Sequence, residues 1–433
     1  MNRIMRKFIK EKILADKLAV VVGAGRSGLA AARLLCVLGA TVRVVDANDT
    51  LDPSIVNDIA GDIELQTGRH SPAQFADADI VVLSPGVPVK RLEPFLKDVP
   101  ARKIVAELEL ASWFIEAPVL AVTGSNGKTT TTTLISEILE KSGLRTFTGG
   151  NIGTPLCEYL LDMEPVDVIV LEVSSFQLQN CRLFKPHVGL FLNLAPNHLD
   201  YHEDMEEYLH AKLNLFAHMN ESDAALLHES LRPVLEGRDI TRARMEWFGP
   251  TDRFEAPHLL GEHNRSNVEA AWQAVRRFGV TEEQAAEAIR EFKPLAHRIE
   301  PVGEKGDVLF VDDSKATTLE AVVAAVRSFD RPVRLLMGGV FKGGDVAALA
   351  RDVKDHVRSV ALFGASREVF EPELAKMFPV SWDATLDLAV KRLYADANPG
   401  DVILLSPGTS SFDLYSGYAQ RGNHFQSVVE ELA

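Results

Sequence analysis

The sequence predicts an α/β protein with mostly parallel sheets, laid out as three successive segments. Three observations carry that prediction. Apolar, β-branched runs alternate with helix-like stretches along the whole chain, with no short repeat and no low-complexity tract. Two of those runs open into glycine loops that lead straight into helix, Gly23-x-Gly25-x-x-Gly28 and Gly124-x-x-Gly127-Lys128-Thr129. A length of 433 residues suits two or three domains of ordinary size. The boundaries are placed at 1–105 (with a basic leader over 1–16), 106–298 and 299–433.

The first segment opens with the strand Leu18–Val22, the first glycine loop, a helix over Leu29–Leu38, and the strand Thr41–Val45 closed by Asp46. A further strand, Asp79–Leu83, stops at Ser84-Pro85-Gly86. Glycines between strand and helix, with an acid about 20 residues on, let backbone amides approach a pyrophosphate at a helix N-terminus. A nicotinamide dinucleotide and a UDP-linked substrate both carry one. Glycines kept only for close helix–strand packing would look the same.

The second segment carries the most informative stretch, Pro118-Val-Leu-Ala-Val-Thr-Gly-Ser-Asn-Gly-Lys-Thr-Thr130. Strand, glycine loop and helix start in that order make a phosphate cradle, in which Lys128 can reach the outer phosphates and the Thr129 hydroxyl can ligate Mg²⁺. The usual pattern would place an earlier glycine where Val122 stands, so this loop is a shortened one. A triphosphate loop here makes hydride transfer in the first segment hard to justify. Further strands are expected at Val166–Leu171 and Val188–Asn193. Glu172, at the end of the former, suits Mg²⁺, which takes hard oxygen ligands. His198 follows the latter, and both a ligand and a structural hydrogen-bonding role fit it. Lys212 lies on the next helix, where spacing alone would mark it as solvated.

The third segment starts around Glu300, with strands at Val308–Val311, Val333–Met337 and Val402–Leu405. Each runs into a polar cluster: Asp313-Ser-Lys315-Ala-Thr317, Gly338-Gly-Val-Phe-Lys342, and Ser406 to Asp413 with Ser411 within it. Lysines and hydroxyls at equivalent sheet ends suit a small anionic substrate. Linkers are expected before Pro118 and over Lys293–Arg298.

Bulk properties exclude several classes. Net charge is −15, which disfavours nonspecific binding to nucleic acid or anionic membrane. No apolar run reaches transmembrane length. Cys36, Cys157 and Cys181 have neither metal nor disulfide spacing and suit a reducing cytoplasm. Arg3, Arg6, Lys7, Lys10 and Lys12 lack the apolar core of a signal peptide and read as a basic leader or frayed helix.

Taken together, the motifs resemble the Mur ligases, which build the peptide stem of bacterial cell-wall precursors. Thr123 to Thr130, Gly149-Gly-Asn151-Ile-Gly153, Glu172-Val-Ser174-Ser-Phe-Gln-Leu178, Asn197-His-Leu-Asp200, Tyr208-x-x-Ala-Lys212, Gly261-x-His-Asn264-x-x-Asn267, His297-Arg298 and Asp313 to Thr317 occur in family order. The shortened loop is a family trait. Asn126, where the L-alanine-adding branch typically has His, and the ending Ser411 to Gly422 are similar to the D-glutamate-adding branch. Folylpolyglutamate synthase, a related ligase, typically starts at the phosphate-loop domain, whereas a whole βαβ segment precedes it here. A nucleotide or UDP-sugar sensor that kept the fold is the non-catalytic alternative; Lys128, Glu172, His198 and Lys212 standing together argue against it.

The resemblance implies a Rossmann-like N-terminal domain for a UDP-linked substrate, a central P-loop ATPase-type domain and a Rossmann-like C-terminal domain for an amino acid. It implies ATP, Mg²⁺ and a CO₂-derived carbamate on Lys212, with UDP-N-acetylmuramoyl-L-alanine and D-glutamate as substrates. No nucleic acid and no membrane insertion are expected, and a monomer in the cytoplasm is. Gly124, Asn126, Gly127, Lys128, Thr129, Thr130, Asn264, Asn267, Arg298, Asp313 and Lys315 would serve ATP. Thr129, Glu172, His198 and carbamylated Lys212 would hold metal. Gly25, Ser27, Asp46, Asn151 and Ser174 would meet the UDP substrate. Thr317, Lys342, Ser411 and Tyr418 would receive D-glutamate. Lys128, His198, Lys212 and Lys342 would carry the chemistry. Asn197, Ala47 and Tyr418 depart from what many or some relatives have.

Overall fold

A computed structural model describes residues 3–162, 164–196, 198, 201–259, 261–293, 296–341 and 343–432. It forms two compact units, Met1–Gly249 with Asn267–Ala288, and Pro250–Ser266 with Ile289–Ala433. The first unit holds two sheets and the second holds one.

The first sheet has the order β3-β2-β1-β4-β5, all parallel, from β1 (Leu18–Val22), β2 (Thr41–Asp46), β3 (Ile63–Thr67), β4 (Ile80–Leu83) and β5 (Ile104–Ala106). The second has the order β11-β10-β9-β6-β8-β7, also all parallel, from β6 (Val119–Thr123), β7 (Thr146–Gly150), β8 (Val168–Glu172), β9 (Val188–Phe191), β10 (Ala224–His228) and β11 (Arg244–Phe248). The third has the order β12-β13-β17-β14-β15-β16, from β12 (Glu300–Lys305), β13 (Val308–Asp312), β14 (Val333–Gly338), β15 (Val357–Phe363), β16 (Val380–Asp383) and β17 (Val402–Leu405). There only β12 runs antiparallel, against β13. The central strands β1, β6 and β17 read Leu-Ala-Val-Val-Val, Val-Leu-Ala-Val-Thr and Val-Ile-Leu-Leu. Helices cover both faces of such a sheet, so nearly every position is apolar rather than alternate ones.

Three boundaries differ from expectation by two residues or more. The first long helix runs Arg26–Val37, three residues earlier than the expected Leu29 start, because extended Gly25 caps it directly. A Cβ at Gly28 would collide with the Gly23 carbonyl oxygen, so the helix can dock this closely only with glycine there. Strand β8 starts at Val168, because Asp167 is drawn to Arg145, accepting from its backbone N–H at 2.9 Å and its Nη2 at 2.8 Å. Strand β9 stops at Phe191, which frees Asn193 for the phosphate loop.

The basic N-terminal stretch is a docked helix, Arg3–Glu11. Met5 is fully buried in the first unit's core, and the Phe8 ring meets Phe114 edge-on at 5.8 Å. Glu107 and Glu109 lie on the helix after β5, and both carboxylates are buried. Glu107 Oε1 accepts from Cys157 N–H at 2.8 Å, and burial raises its pKa above the ordinary carboxylate range. Glu109 accepts from the backbone N–H groups of Arg182, Leu183 and Phe184 at 2.9–3.1 Å and from the Trp113 indole at 3.2 Å. That set of donors offsets the desolvation of a buried carboxylate. It also stitches the chain leaving the first sheet to the loop before β9. All three cysteines are buried as free thiols. Among the described residues, no helix is long and apolar enough to cross a membrane.

Candidate active site

Strand β6 lies between β9 and β8, so the loop after it emerges where the winding of the sheet reverses. Ligands of open α/β sheets bind at such a point, outside the carboxyl ends of the strands. Gly127 caps the helix Lys128–Lys141 in a left-handed conformation (φ 79°), and a Cβ there would lie 2.7 Å from Asn267 Oδ1. The backbone can therefore turn its amides toward a phosphate only with glycine at this position. Lys128 folds back over the loop, its Nζ donating to the Gly124 and Ser125 carbonyls at 2.9 Å each.

Two polar side chains brace the loop, Asn193 from beyond β9 and Ser125 from within it. Asn193 Oδ1 accepts from Asn126 N–H at 2.8 Å, and its Nδ2 donates to the Asn126 carbonyl at 3.1 Å. Ser125 Oγ bonds Ala195 and lies 3.2 Å from the Tyr208 hydroxyl. Neither Asn193 nor Ser125 was singled out from sequence. An amide at a strand end beside the loop was the only available signal for Asn193.

Lys212, on the helix Met205–Leu213, points inward with 1% of its surface exposed. Its Nζ lies 4.4 Å from the Tyr208 ring centre and donates to the Gly124 carbonyl at 2.9 Å, the same oxygen that Lys128 reaches. Burial pushes the Lys212 ammonium well below its ordinary range, the Lys128 charge adds to this, and Glu172 opposes it. A neutral amine is the form that can react with CO₂.

Glu172 ends β8 and is 2% exposed. Asn151 Nδ2 donates to its Oε1 at 2.7 Å. Its Oε2 is buried with no hydrogen-bond partner among the described residues. An ionised oxygen left in that state is costly, and a divalent cation would satisfy it. Oxygen donors of the kind Mg²⁺ takes stand here as the Glu172 carboxylate and the Thr129 hydroxyl at the first turn of the loop helix. His198 sits half-buried with φ 58°, against Phe176 (4.7 Å between centres) and Tyr208 (6.3 Å). The buried neighbour His202 is held by Ser175 Oγ at 2.9 Å and stacks on Phe176.

The glycine loop after β1 lies in the same unit. Asp46 Oδ2 accepts from Ala24 N–H at 2.7 Å, so this carboxylate shapes the loop itself. From the first helical turn, next to Gly25 and Ser27, Arg26 Nη1 donates to the Gly153 carbonyl at 2.7 Å. That contact brings the loop beside the Asn151–Gly153 turn. Ser174 caps the helix Ser175–Leu178 in a reciprocal bond pair with Gln177.

In the second unit, β17 lies between β13 and β14, and the three strand-end clusters meet. Ser406 Oγ donates to Asp313 Oδ2 at 2.8 Å, Thr409 Oγ1 to the Gly338 carbonyl at 2.6 Å, and Ser410 pairs with Val340. Arg421, missed in the sequence, is fully buried beneath them. Its guanidinium donates to Ser314 Oγ and to the Ser314, Gly338 and Thr409 carbonyls at 2.8–3.1 Å. Burial lowers its pKa to about 10, which leaves it charged at neutral pH. His297 Nδ1 lies 2.7 Å from Asp312 Oδ2 and precedes Arg298. Lys315 Nζ stands 5.6 Å from the Tyr418 ring centre, Thr317 is half-buried, Ser411 is buried, and Asn264 N–H bonds the Gly261 carbonyl. Lys342, and Asn197 of the first unit's motif, lie outside the described residues.

Asp313 carries a titration that can be checked. Burial raises its pKa from 3.8 to about 7, against the pull of Ser406, Arg298 and the Ile299 amide. The folded state therefore favours the protonated acid. Its contribution to stability is complete below the unfolded value of 3.8 and is lost as pH rises through about 7. Asp313→Asn is expected to flatten that loss, worth a few kcal/mol at about 1.4 kcal/mol per unit, in urea melts compared at pH 5 and pH 8. An identical pH dependence in both proteins would refute it.

The chain matches three family models in order: Mur ligase MurD-like N-terminal domain over residues 17–105, Mur ligase middle domain over 122–234, and Mur ligase glutamate ligase domain over 297–408. It is 51% identical to the UDP-N-acetylmuramoylalanine–D-glutamate ligase of Oleidesulfovibrio alaskensis, covering 96% of this chain and 94% of that one. It is 52% identical to the enzyme of that name from Desulfovibrio desulfuricans, with 98% of each covered. The crystal structure of MurF ligase from Thermotoga maritima in complex with ADP aligns over the whole of both chains at TM-score 0.59 and 18% identity, a likeness of fold. Three family models in register and near-full-length relatives at this identity show that the chain belongs to the Mur ligases, in the family of the UDP-N-acetylmuramoylalanine–D-glutamate ligases.

Proposed function

We infer that the chain is an ATP-dependent ligase that joins D-glutamate to UDP-N-acetylmuramoyl-L-alanine, releasing ADP and phosphate, in peptidoglycan precursor synthesis in the cytoplasm. The observation that carries this reading is the cluster at the end of the second sheet. Two lysines share the Gly124 carbonyl, and a buried Glu172 oxygen lacks a donor among the described residues. The relatives' names supply the substrates.

A carboxylate resists amide formation because oxide is a poor leaving group. Transfer of the γ-phosphoryl group of ATP to the alanyl carboxylate of the UDP substrate gives an acyl phosphate and ADP. The D-glutamate amine then attacks the acyl carbon. The tetrahedral adduct expels phosphate, the amine loses a proton, and the amide remains. Negative charge grows on oxygen in both steps, so fixed positive groups are favoured.

In this reading Lys128 and the amides of Gly124, Asn126 and Gly127 bind the phosphates, with Thr130 and Asn267 beside them. Thr129, Glu172, His198 and Lys212 as a carbamate would hold Mg²⁺. That ion supplies Lewis-acid neutralisation of phosphate and carboxylate oxygens. Lys212 would reach its active form by attack of the neutral amine on CO₂, forming an N–C bond and releasing one proton. Gly25, Ser27, Asp46, Asn151 and Ser174 serve the UDP substrate. Asn264, Arg298, Asp313 and Lys315 serve the nucleotide, and Thr317, Lys342, Ser411 and Tyr418 the amino acid. Residues 1–105, 106–298 and 299–433 are proposed as the three domains.

The test is phosphate release with ATP, Mg²⁺ and UDP-N-acetylmuramoyl-L-alanine, offering D-glutamate, L-glutamate, L-alanine, glycine or nothing. Release with D-glutamate alone is expected. Release with another amino acid would overturn the acceptor, and none with any would overturn the ligase.

A further inference from the structure

We propose that Tyr415, His424 and Asp387 form a side-chain relay that positions the loop between Ser411 and Tyr418 for amino-acid binding, with Tyr415 as the positioning residue. The proposal rests on the reading of that loop as the D-glutamate side.

The loop after β17 is well fixed at its inner end. Thr409 and Ser410 are tied to β14 and the turn after it, and Asp413 Oδ2 accepts from Ala365 N–H at 2.9 Å. Its outer part turns away from the sheet. Ser411 makes a turn in which its carbonyl accepts from Leu414 N–H at 3.3 Å and from Tyr415 N–H at 2.9 Å. Phe412, 71% exposed, and Leu414, 47% exposed, project from that turn. The helix that follows, Tyr418–Glu431, begins at Gly417, where Ser416 N–H and Oγ donate to Gln420 Oε1 at 2.7 and 3.0 Å and Ser314 Oγ donates to the Tyr418 carbonyl at 2.8 Å.

Tyr415 turns inward instead. Its ring packs against the cluster of Phe363, Leu386 and Phe425. Its hydroxyl lies 2.8 Å from His424 Nδ1, one and a half turns into the helix. His424 Nε2 lies 3.3 Å from Asp387 Oδ2, on the neighbouring helix Leu386–Ala395. A carboxylate on Nε2 keeps the ring proton there and leaves Nδ1 as the acceptor. The tyrosine hydroxyl is then the donor. Its pKa is pushed up to about 12, by burial first and by Asp387 next, so it keeps its proton across the working range.

The chain of contacts thus runs from one helix, through a histidine on a second, to a tyrosine midway between Ser411 and Tyr418. Those two residues must hold a small zwitterion at a fixed distance. A loop free to slide would meet that demand only part of the time, and apparent affinity falls with the competent fraction.

Tyr415→Phe removes the hydroxyl and keeps the ring. The expected result is a KM for D-glutamate raised about five-fold, the worth of one hydrogen bond, with kcat and the KM for ATP unchanged within two-fold. His424→Gln should give a similar rise, and the double variant no more than either alone, because both cut the same chain. A KM for D-glutamate unchanged in Tyr415→Phe overturns the proposal. So does an equal rise in the KM values of all three substrates, which marks general loosening. Hydrogen exchange of amides 411–417 reads the tether without any substrate. Faster exchange in Tyr415→Phe is expected, and unchanged exchange overturns the relay. Faster exchange in a protein whose parent does not use D-glutamate supports the relay and places the fault in the substrate reading.

Discussion

Lys212→Ala is expected to lose turnover by about 10³-fold, the scale seen when a charge-stabilising group is removed from a catalytic site. Part of the loss should return on adding formate or acetate. The reason lies in the side chain's surroundings. Lys212 is sealed in, its ammonium form is disfavoured by burial and by Lys128, and the carboxylate of Glu172 faces it electrostatically. A plain cation gains little there. An anion made from the same nitrogen would add oxygen ligands beside Glu172. Alanine leaves a void about the size of the lost chain, and a short carboxylate placed in it restores the oxygens without the tether. Turnover at several carboxylate concentrations, with ATP binding checked to show an intact fold, is the measurement. Full activity of Lys212→Ala without additive would sink the carbamate.

Lys128→Ala is expected to reduce kcat/KM for ATP by about 10²–10³-fold. Its ammonium is the cation held over the loop carbonyls, and the transferring phosphoryl group needs compensation during transfer. Steady-state kinetics with each substrate varied in turn would check this. The loss should appear with ATP varied, while binding of the UDP substrate to the loops after β1 and β7 stays close to the parent's. An unaltered kcat/KM for ATP would remove Lys128 from the reaction.

The sequence revealed the middle of each sheet and little of its margins. Strands β1, β6, β9, β14 and β17 lie inside their sheets and are buried on both faces, so their apolar runs stand out. Edge strands such as β3 (Ile-Glu-Leu-Gln-Thr) and β12 (Glu-Pro-Val-Gly-Glu-Lys) face water and carry no such run. Interior β10 escaped for another reason: Ala-Ala-Leu-Leu-His has helical composition, and pairing with β9 and β11 overrides it. Within the candidate site, Gly127, Lys128 and Glu172 were legible because adjacent residues or a strand end define their place. Lys212 looked like a surface lysine and owed its notice to resemblance alone. Asn193, Arg421 and the Tyr415–His424 pair act through partners distant in sequence or across a turn, and no local pattern marks such contacts.

The two bonds that Lys128 makes to its own loop bear on how nucleotide arrives and leaves. The Lys128 ammonium donates to two carbonyls of its own loop, so a phosphate chain competes with those oxygens for its N–H groups. A triphosphate anchored by its base and ribose can meet that cost with several oxygens at once. Orthophosphate, with nothing to anchor it, recovers little from the swap. The loop would thus discriminate by size of anion as well as by charge, and a spent phosphate would find the lysine already returning to Gly124 and Ser125.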